Sequence, residues 1–221
     1  MDTLDFRFLV PYIPQLVEAA KVTVAIGVLS FGIALLLAVG VGAARSVGLP
    51  LILRLPLAVY VEVFRGTPLL IQLFLIYYGL PTFGIVLDPI PAAVIGLSLN
   101  CGAYMSEVVR AAILSVEKGQ YEAAYSLGYT RGQTYVHIVF PQAFRIALPT
   151  FMNYFSTMIK ETSLVSVLSI AEITRVGNHI YARTLSPFEI FITIGAIYFV
   201  MTYSLVLLSK WLEKRGAVWN R

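Results

Sequence analysis

Asn100, Tyr104 and Glu107 stand at i, i+4 and i+7, so a helix would place an amide, a phenol and a carboxylate on one face. Such a face could bind an amino acid. Glu107 would hold a cationic group, either an α-amino group or a guanidinium. Asn100 could take a carboxylate or amide, and Tyr104 could stack on or hydrogen-bond a side chain. A second line of the same periodicity runs through Asn153, Thr157 and Lys160, with Ser163 just beyond. Gly66 and Thr67 precede a proline, where a broken helix would free backbone amides and carbonyls for a ligand. Each has a plainer reading. Glu107 lies three residues before Arg110 and could form an intrahelical ion pair, and Asn153 and Thr157 could simply bond between helices.

The surroundings raise the stakes of these polar groups. Of 221 residues, 58% are hydrophobic and only 13% charged, against roughly 25% charged in soluble domains. Uncharged runs at 22–44, 66–87 and 190–209 are each near the ~20 residues that cross a bilayer. Pro89–Ser106 and Ile146–Ala171 are two further candidates, the latter interrupted by Lys160 and Glu161. The chain is therefore expected to be an all-α membrane protein of five transmembrane helices, the second beginning near Arg54, in a single domain over residues 1–221. Polar residues inside such spans face a cavity, a partner or an interface.

Charge placement orients it. With the N-terminus outside, Arg45, Arg54, Lys118, Arg131, Arg145, Lys210, Lys214, Arg215 and Arg221 fall inside, and Arg7, Lys21, Arg175 and Arg183 outside. This N-out, C-in bias accounts for the net charge of +4 without nucleic acid. The first run is too long for a cleaved signal, and Asp2 and Asp5 sit where such a signal would be basic. The lone Cys101 excludes an internal disulfide and a cysteine metal cluster, and His137 and His179 are isolated, so no metal site is expected.

Three local features should shape the bundle. Ser30, Ala34, Ala38 and Gly42 recur every four residues, a register that lets another helix approach closely. Pro68 should bend the second span within Phe64–Leu70, and Lys160–Leu164 should break the fifth. The external stretch from Glu172 to Pro187 suits a short surface helix. The polar segment 115–142 interrupts the apolar chain on its cytoplasmic side. It reads as one short helix from Gln120 to Leu127, closed by Gly128, and a second from Gly132 to Phe140 that stops at Pro141.

The stretch EAAYSLGYTRGQTYVHIVFP resembles the EAA loop of ABC importer permeases, with Glu122, Ala123, Ala124, Gly128, Ile138 and Pro141 at matching positions and Phe140 replacing a leucine. The stretches VFRGTPLLIQLF, AYMSEVVRAAI and KETSLVSVL are similar to the branch that imports polar amino acids. The resemblance implies a prokaryotic plasma-membrane transport subunit that is not itself an enzyme. It implies a second permease, identical or paralogous, and an extracytoplasmic solute-binding protein. It also implies that the EAA segment is a coupling helix docked on a separate ATP-binding cassette subunit, which binds ATP and Mg. Independently, the chain lacks G-x-x-x-x-G-K-[ST], so it has no phosphate loop of its own. A basic cargo is the favoured expectation, from Glu107. The rival reading is an ion- or proton-coupled secondary carrier titrating Glu107 and Glu161, and a third is a purely structural membrane protein.

Overall fold

The computed structural model describes residues 5–47 and 50–217; Asp2 and Arg221 lie outside them, as do the side chains of Lys214 and Arg215. Among the described residues the secondary structure is entirely helical. After a 3-10 segment at Arg7–Tyr12, α1 (Ile13–Ser46) packs along α4 (Pro89–Leu114), the most buried helix of the bundle. The four-residue stripe of small side chains makes that contact. Ser30, Ala34, Ala38 and Gly42 are all buried. The Ser98 hydroxyl donates to the Ser30 carbonyl at 3.1 Å. A Cβ on Gly42 would lie 2.5 Å from the Ser106 carbonyl oxygen, and one on Gly102 would lie 3.4 Å from that of Ala34. Backbones approach this closely only where side chains are absent or minimal.

The second span breaks where proline requires it. Helix α2 (Leu51–Gly66) ends at an extended Thr67, and α3 (Leu69–Phe74) leaves Pro68 at 111° to it before continuing through a π turn and a 3-10 turn to Phe83. At about 51 Å for 34 residues, α1 exceeds a hydrocarbon core of ~30 Å. The exposed Glu18–Lys21 pair marks a part of it suited to water.

The polar segment 115–142 begins its helical structure with α5 (Lys118–Ser126), two residues earlier than the sequence suggested. Gly128 closes it at φ +83°, with the Tyr129 amide donating to Ala124 and the Gly128 amide to Tyr125, both at 3.0 Å. This left-handed closure satisfies carbonyls that the helix end would leave orphaned. The second arm differs from expectation. It starts at α6 (Arg131–Thr134), capped by Thr130 and Gln133, and does not stop at Pro141. A π turn at Tyr135–Val139 leads straight into α7 (Phe140–Glu161), with Pro141 in its first turn. The proline nitrogen cannot bond back to the preceding turn, and widening that turn accommodates the missing bond.

Helix α7 ends at Lys160–Glu161, as the charges there suggest, and the chain continues as a 3-10 segment to Leu168. The short helix expected within Glu172–Pro187 is α8 (Ile173–Thr184), its first turn capped by the Glu172 carboxylate, which accepts from the Thr174 and Arg175 amides at 2.9 and 2.6 Å. The chain returns as α9 (Pro187–Ala217). Three segments are long and apolar enough to cross a membrane: Arg7–Ser46, Pro89–Leu114 and Pro187–Trp211; the bent pair makes a fourth if it counts as one span. Helix α7 does not reach that apolarity, because Arg145, Asn153, Lys160 and Glu161 interrupt it.

Candidate functional site

The break between α2 and α3 organises the site. The last turn of α2 has carbonyls with no partner in their own helix, and side chains supply partners. Thr67 Oγ1 donates to the Val63 carbonyl at 2.8 Å. Gln72 Nε2 lies 2.9 Å from the Phe64 carbonyl oxygen and 2.8 Å from Thr67 Oγ1. Asn100, in the middle of α4, donates Nδ2 to Phe64 at 3.1 Å and to Gln72 Oε1 at 3.0 Å. The Tyr104 hydroxyl donates to the Arg65 carbonyl at 3.1 Å. Gln72 and Asn100 are both buried. The polar face of α4 thus supplies partners to the backbone of a broken helix.

A cavity of about 290 Å³ opens beside this break, lined by Thr67, Asn100, Tyr104, Tyr154, Thr157 and Glu161 together with Pro68, Leu69 and Cys101. The Tyr104 and Tyr154 rings stand 6.3 Å apart, and the Arg65 guanidinium lies 5.5 Å from the Tyr104 ring centre. The cavity is amphipathic: hydroxyls, one amide and one carboxylate among aromatic and apolar walls. Sites of this composition orient small polar ligands.

Of the site residues expected from the sequence, Thr67, Asn100 and Tyr104 meet in this cavity. Gly66 is exposed at the end of α2, Asn153 is exposed on α7, and Ser163 is half-buried in the following 3-10 segment; none lines it. Glu107 is also elsewhere. One carboxylate oxygen is held by Arg45 Nη1 from the end of α1, and the other accepts from Arg110 Nη2 and Nε at 2.8 and 3.0 Å. The ion pair with Arg110 weighed in the sequence is present, with a second arginine added. Gln72, Tyr154 and Glu161 were not assigned to the site by sequence. Gln72 was detectable as the only polar residue of Leu69–Phe74.

The coupling-segment residues fall on two faces. Glu122 and Ala123 are exposed, Ala124 is buried, Ile138 is half-buried and Pro141 is exposed. The Tyr121 hydroxyl donates to the Ile113 carbonyl at 3.3 Å, tying α5 to the C-terminal end of α4. Leu127 leaves 77% of its surface exposed beside Tyr125 and Tyr129.

A bundle of apolar helices with a broken span, a polar cavity at the break and a polar helical knuckle at residues 115–142 is consistent with a membrane permease. Residues 18–217 match the family described as binding-protein-dependent transport system inner membrane component. The chain belongs to that family, the membrane subunits of ABC transporters, and within it to the amino-acid permeases. It is 45% identical to the L-cystine transport system permease protein TcyB of Bacillus subtilis (strain 168), over 87% of this chain and 82% of the relative. Identity to the glutamine transport system permease protein GlnP of Escherichia coli (strain K12) is 37%, over 96% and 97% of the two chains. The same identity and coverage relate it to the arginine transport system permease protein ArtQ of Bacillus subtilis (strain 168). Among solved structures, it superposes on an amino acid ABC transporter crystallised with histidines at a TM-score of 0.90, with 38% identity, over 97% of this chain and all of that one. It is thus a multi-pass protein of the cell membrane and a transport subunit.

Proposed function

We propose that this chain forms the translocation pathway of an ATP-driven importer of polar amino acids, and that the cavity at the α2–α3 break is where the cargo rests in transit. The observation that carries this reading is the convergence of Thr67, Asn100, Tyr104, Thr157 and Glu161 on one cavity beside a mid-span helix break. Broken helices at membrane depth persist where they serve a transport site.

In this reading residues 1–221 make one permease domain of five spans, N-out and C-in, with the bent pair as one span and α7 as another. The polar residues of α7 then face a partner permease or the pathway between the two, which explains a span too polar for lipid. The partner is a second copy or a paralogue. An extracytoplasmic solute-binding protein delivers the amino acid. Segment 115–142 docks on an ATP-binding cassette subunit, with Glu122 making a polar contact, Ala123 and Ala124 giving a smooth helix, Gly128 setting the pose, and Ile138 and Pro141 anchoring the second arm. ATP and Mg bind that subunit; this chain binds no cofactor. Closure of the ATPase pair drives the two knuckles together and rotates the spans to change access.

The relatives named above carry cystine, glutamine and arginine, which supports an amino-acid cargo and leaves its charge open. The expectation of a basic cargo rested on Glu107 as a free carboxylate. With Arg45 and Arg110 on it, Glu107 lends that preference no support. A gradient-driven carrier is disfavoured by the family match over residues 18–217.

The test is uptake of radiolabelled amino acids into proteoliposomes holding the chain with its ATPase and binding protein. Accumulation that needs ATP hydrolysis supports the proposal. Accumulation driven by a pH or sodium gradient, with none driven by ATP, overturns it.

A further inference from the structure

Two unspent charges stand at the cavity. Glu161, the last residue of α7, is the one ionisable carboxylate in the lining, is half-buried, and makes no hydrogen bond or ion pair with its side chain among the described residues. Arg65 stands just outside the lining, in the last turn of α2. Its side chain is exposed, its guanidinium rests on the ring of Tyr104, which is part of the lining, and it too makes no ion pair among the described residues. Both groups lie within electrostatic reach of the Tyr154 phenol, so they address the same space. The neighbouring Lys160 is likewise exposed and outside the lining, acts on Glu161 only through space, and makes no ion pair with it.

A half-buried carboxylate without an ion-pair partner is costly unless something compensates it, and the exposed Arg65 guanidinium beside the cavity is open to an anion. An α-amino acid carries the matching pair: an ammonium for Glu161 and a carboxylate for the fork of Arg65. A second positive charge on the ligand has no such place. Glu107, the one carboxylate of α4, already holds two arginines, and the charged side chains that flank Glu161 and Tyr104, Lys160 and Arg65, are positive. Resting on the importer reading above, we infer that Arg65 and Glu161 are the carboxylate- and ammonium-binding residues of the cavity, and that they select α-amino acids without a cationic side chain. The aromatic pair Tyr104–Tyr154 and the Thr157 hydroxyl then meet the uncharged remainder of the ligand.

The test reads the chain's own selectivity, separately from that of the delivering protein. Equilibrium binding of L-amino acids is measured on the permease–ATPase complex purified without the solute-binding protein. The panel holds neutral amino acids, arginine and lysine, and the α-carboxamide of the neutral amino acid that binds best. The expected result is that this amino acid binds about ten- to hundredfold more tightly than arginine, lysine or its own carboxamide. Arg65→Gln should erase the preference for carboxylate over carboxamide, and Arg65→Lys should restore part of it. Glu161→Gln should weaken all α-amino acids by a similar factor. A variant that merely loosened the fold would weaken acid and amide alike, so a surviving preference in Arg65→Gln overturns the assignment. Tight binding of arginine or lysine to the unaltered complex overturns the charge selection while leaving the importer intact. Absence of ATP-driven uptake for every amino acid, in the liposome assay above, removes the importer reading and this inference with it.

Discussion

The side-chain amide of Asn100 donates to the main-chain carbonyl of Phe64 at 3.1 Å, so a residue in the middle of α4 closes the end of α2. The same nitrogen also reaches Gln72 Oε1 at 3.0 Å. Asn100→Ala would leave a buried amide oxygen without its donor and withdraw one donor from the break. A cost of about 1–3 kcal/mol follows for a buried group left unsatisfied. Thermal unfolding of the detergent-solubilised protein should show a lowered midpoint. Asn100→Asp should do no better, because an ionised carboxylate has no hydrogen to donate. A midpoint unchanged in both variants would remove Asn100 from the architecture of the break.

The α1–α4 contact gives a paired prediction. A methyl group on Gly42 meets the backbone oxygen of Ser106 at 2.5 Å and Val109 Cβ at 2.6 Å, neither of which can rotate away. Gly40, two residues earlier, has nothing within 4 Å of that position. Gly42→Ala should therefore destabilise the protein by about 1–3 kcal/mol through overpacking. Gly40→Ala should be neutral or stabilise it by about 0.5–1 kcal/mol, by removing glycine's backbone entropy. Equal unfolding midpoints for the two variants would contradict the packing described.

At the start of α8, Glu172 links that helix to α9 by accepting from the Tyr198 hydroxyl at 2.9 Å. Burial pushes its carboxyl above the ordinary carboxylate range, and the Thr174 and Arg175 amides and the Tyr198 hydroxyl pull it partly back. The folded protein thus holds this proton to a higher pH than the unfolded chain, which releases it near pH ~4.3. The stability linked to that proton is complete below this pH and is lost as pH rises through the raised folded value. The unfolding midpoint of the natural protein should fall relative to that of Glu172→Gln as pH rises from about 4.3. A difference that stays flat over that rise would contradict the assignment.

Much of this fold could be read where local chemistry decides it. The spacing of Ser30, Ala34, Ala38 and Gly42 survives intact as a packing stripe because helix periodicity alone sets it. Pro68 and Gly128 act through their own backbone limits, so the bend and the left-handed closure were legible residue by residue. Pro141 was misread as a stop because a π turn, which has no short sequence signal, absorbed its missing bond. Glu107 was drawn toward the cargo because Arg45, its partner across 62 residues, is invisible to any helical spacing. Glu161 and Gln72 entered the site for the same reason. Only the 111° turn after α2 and the close of α7 bring them to Thr67 and Asn100.

The central claim is that motion enters this chain through its cytoplasmic knuckle, and contact at Leu127 tests it most directly. That side chain is 77% exposed beside the Gly128 closure, and Cys101, the only native cysteine, can first be replaced by serine. In Leu127→Cys, a short bifunctional reagent applied to an assembly active in ATP-driven uptake should join the permease to its ATP-hydrolysing subunit, with ATP changing the yield. Continued ATP-driven uptake by an assembly in which that position reaches no ATPase subunit in any nucleotide state would contradict the account.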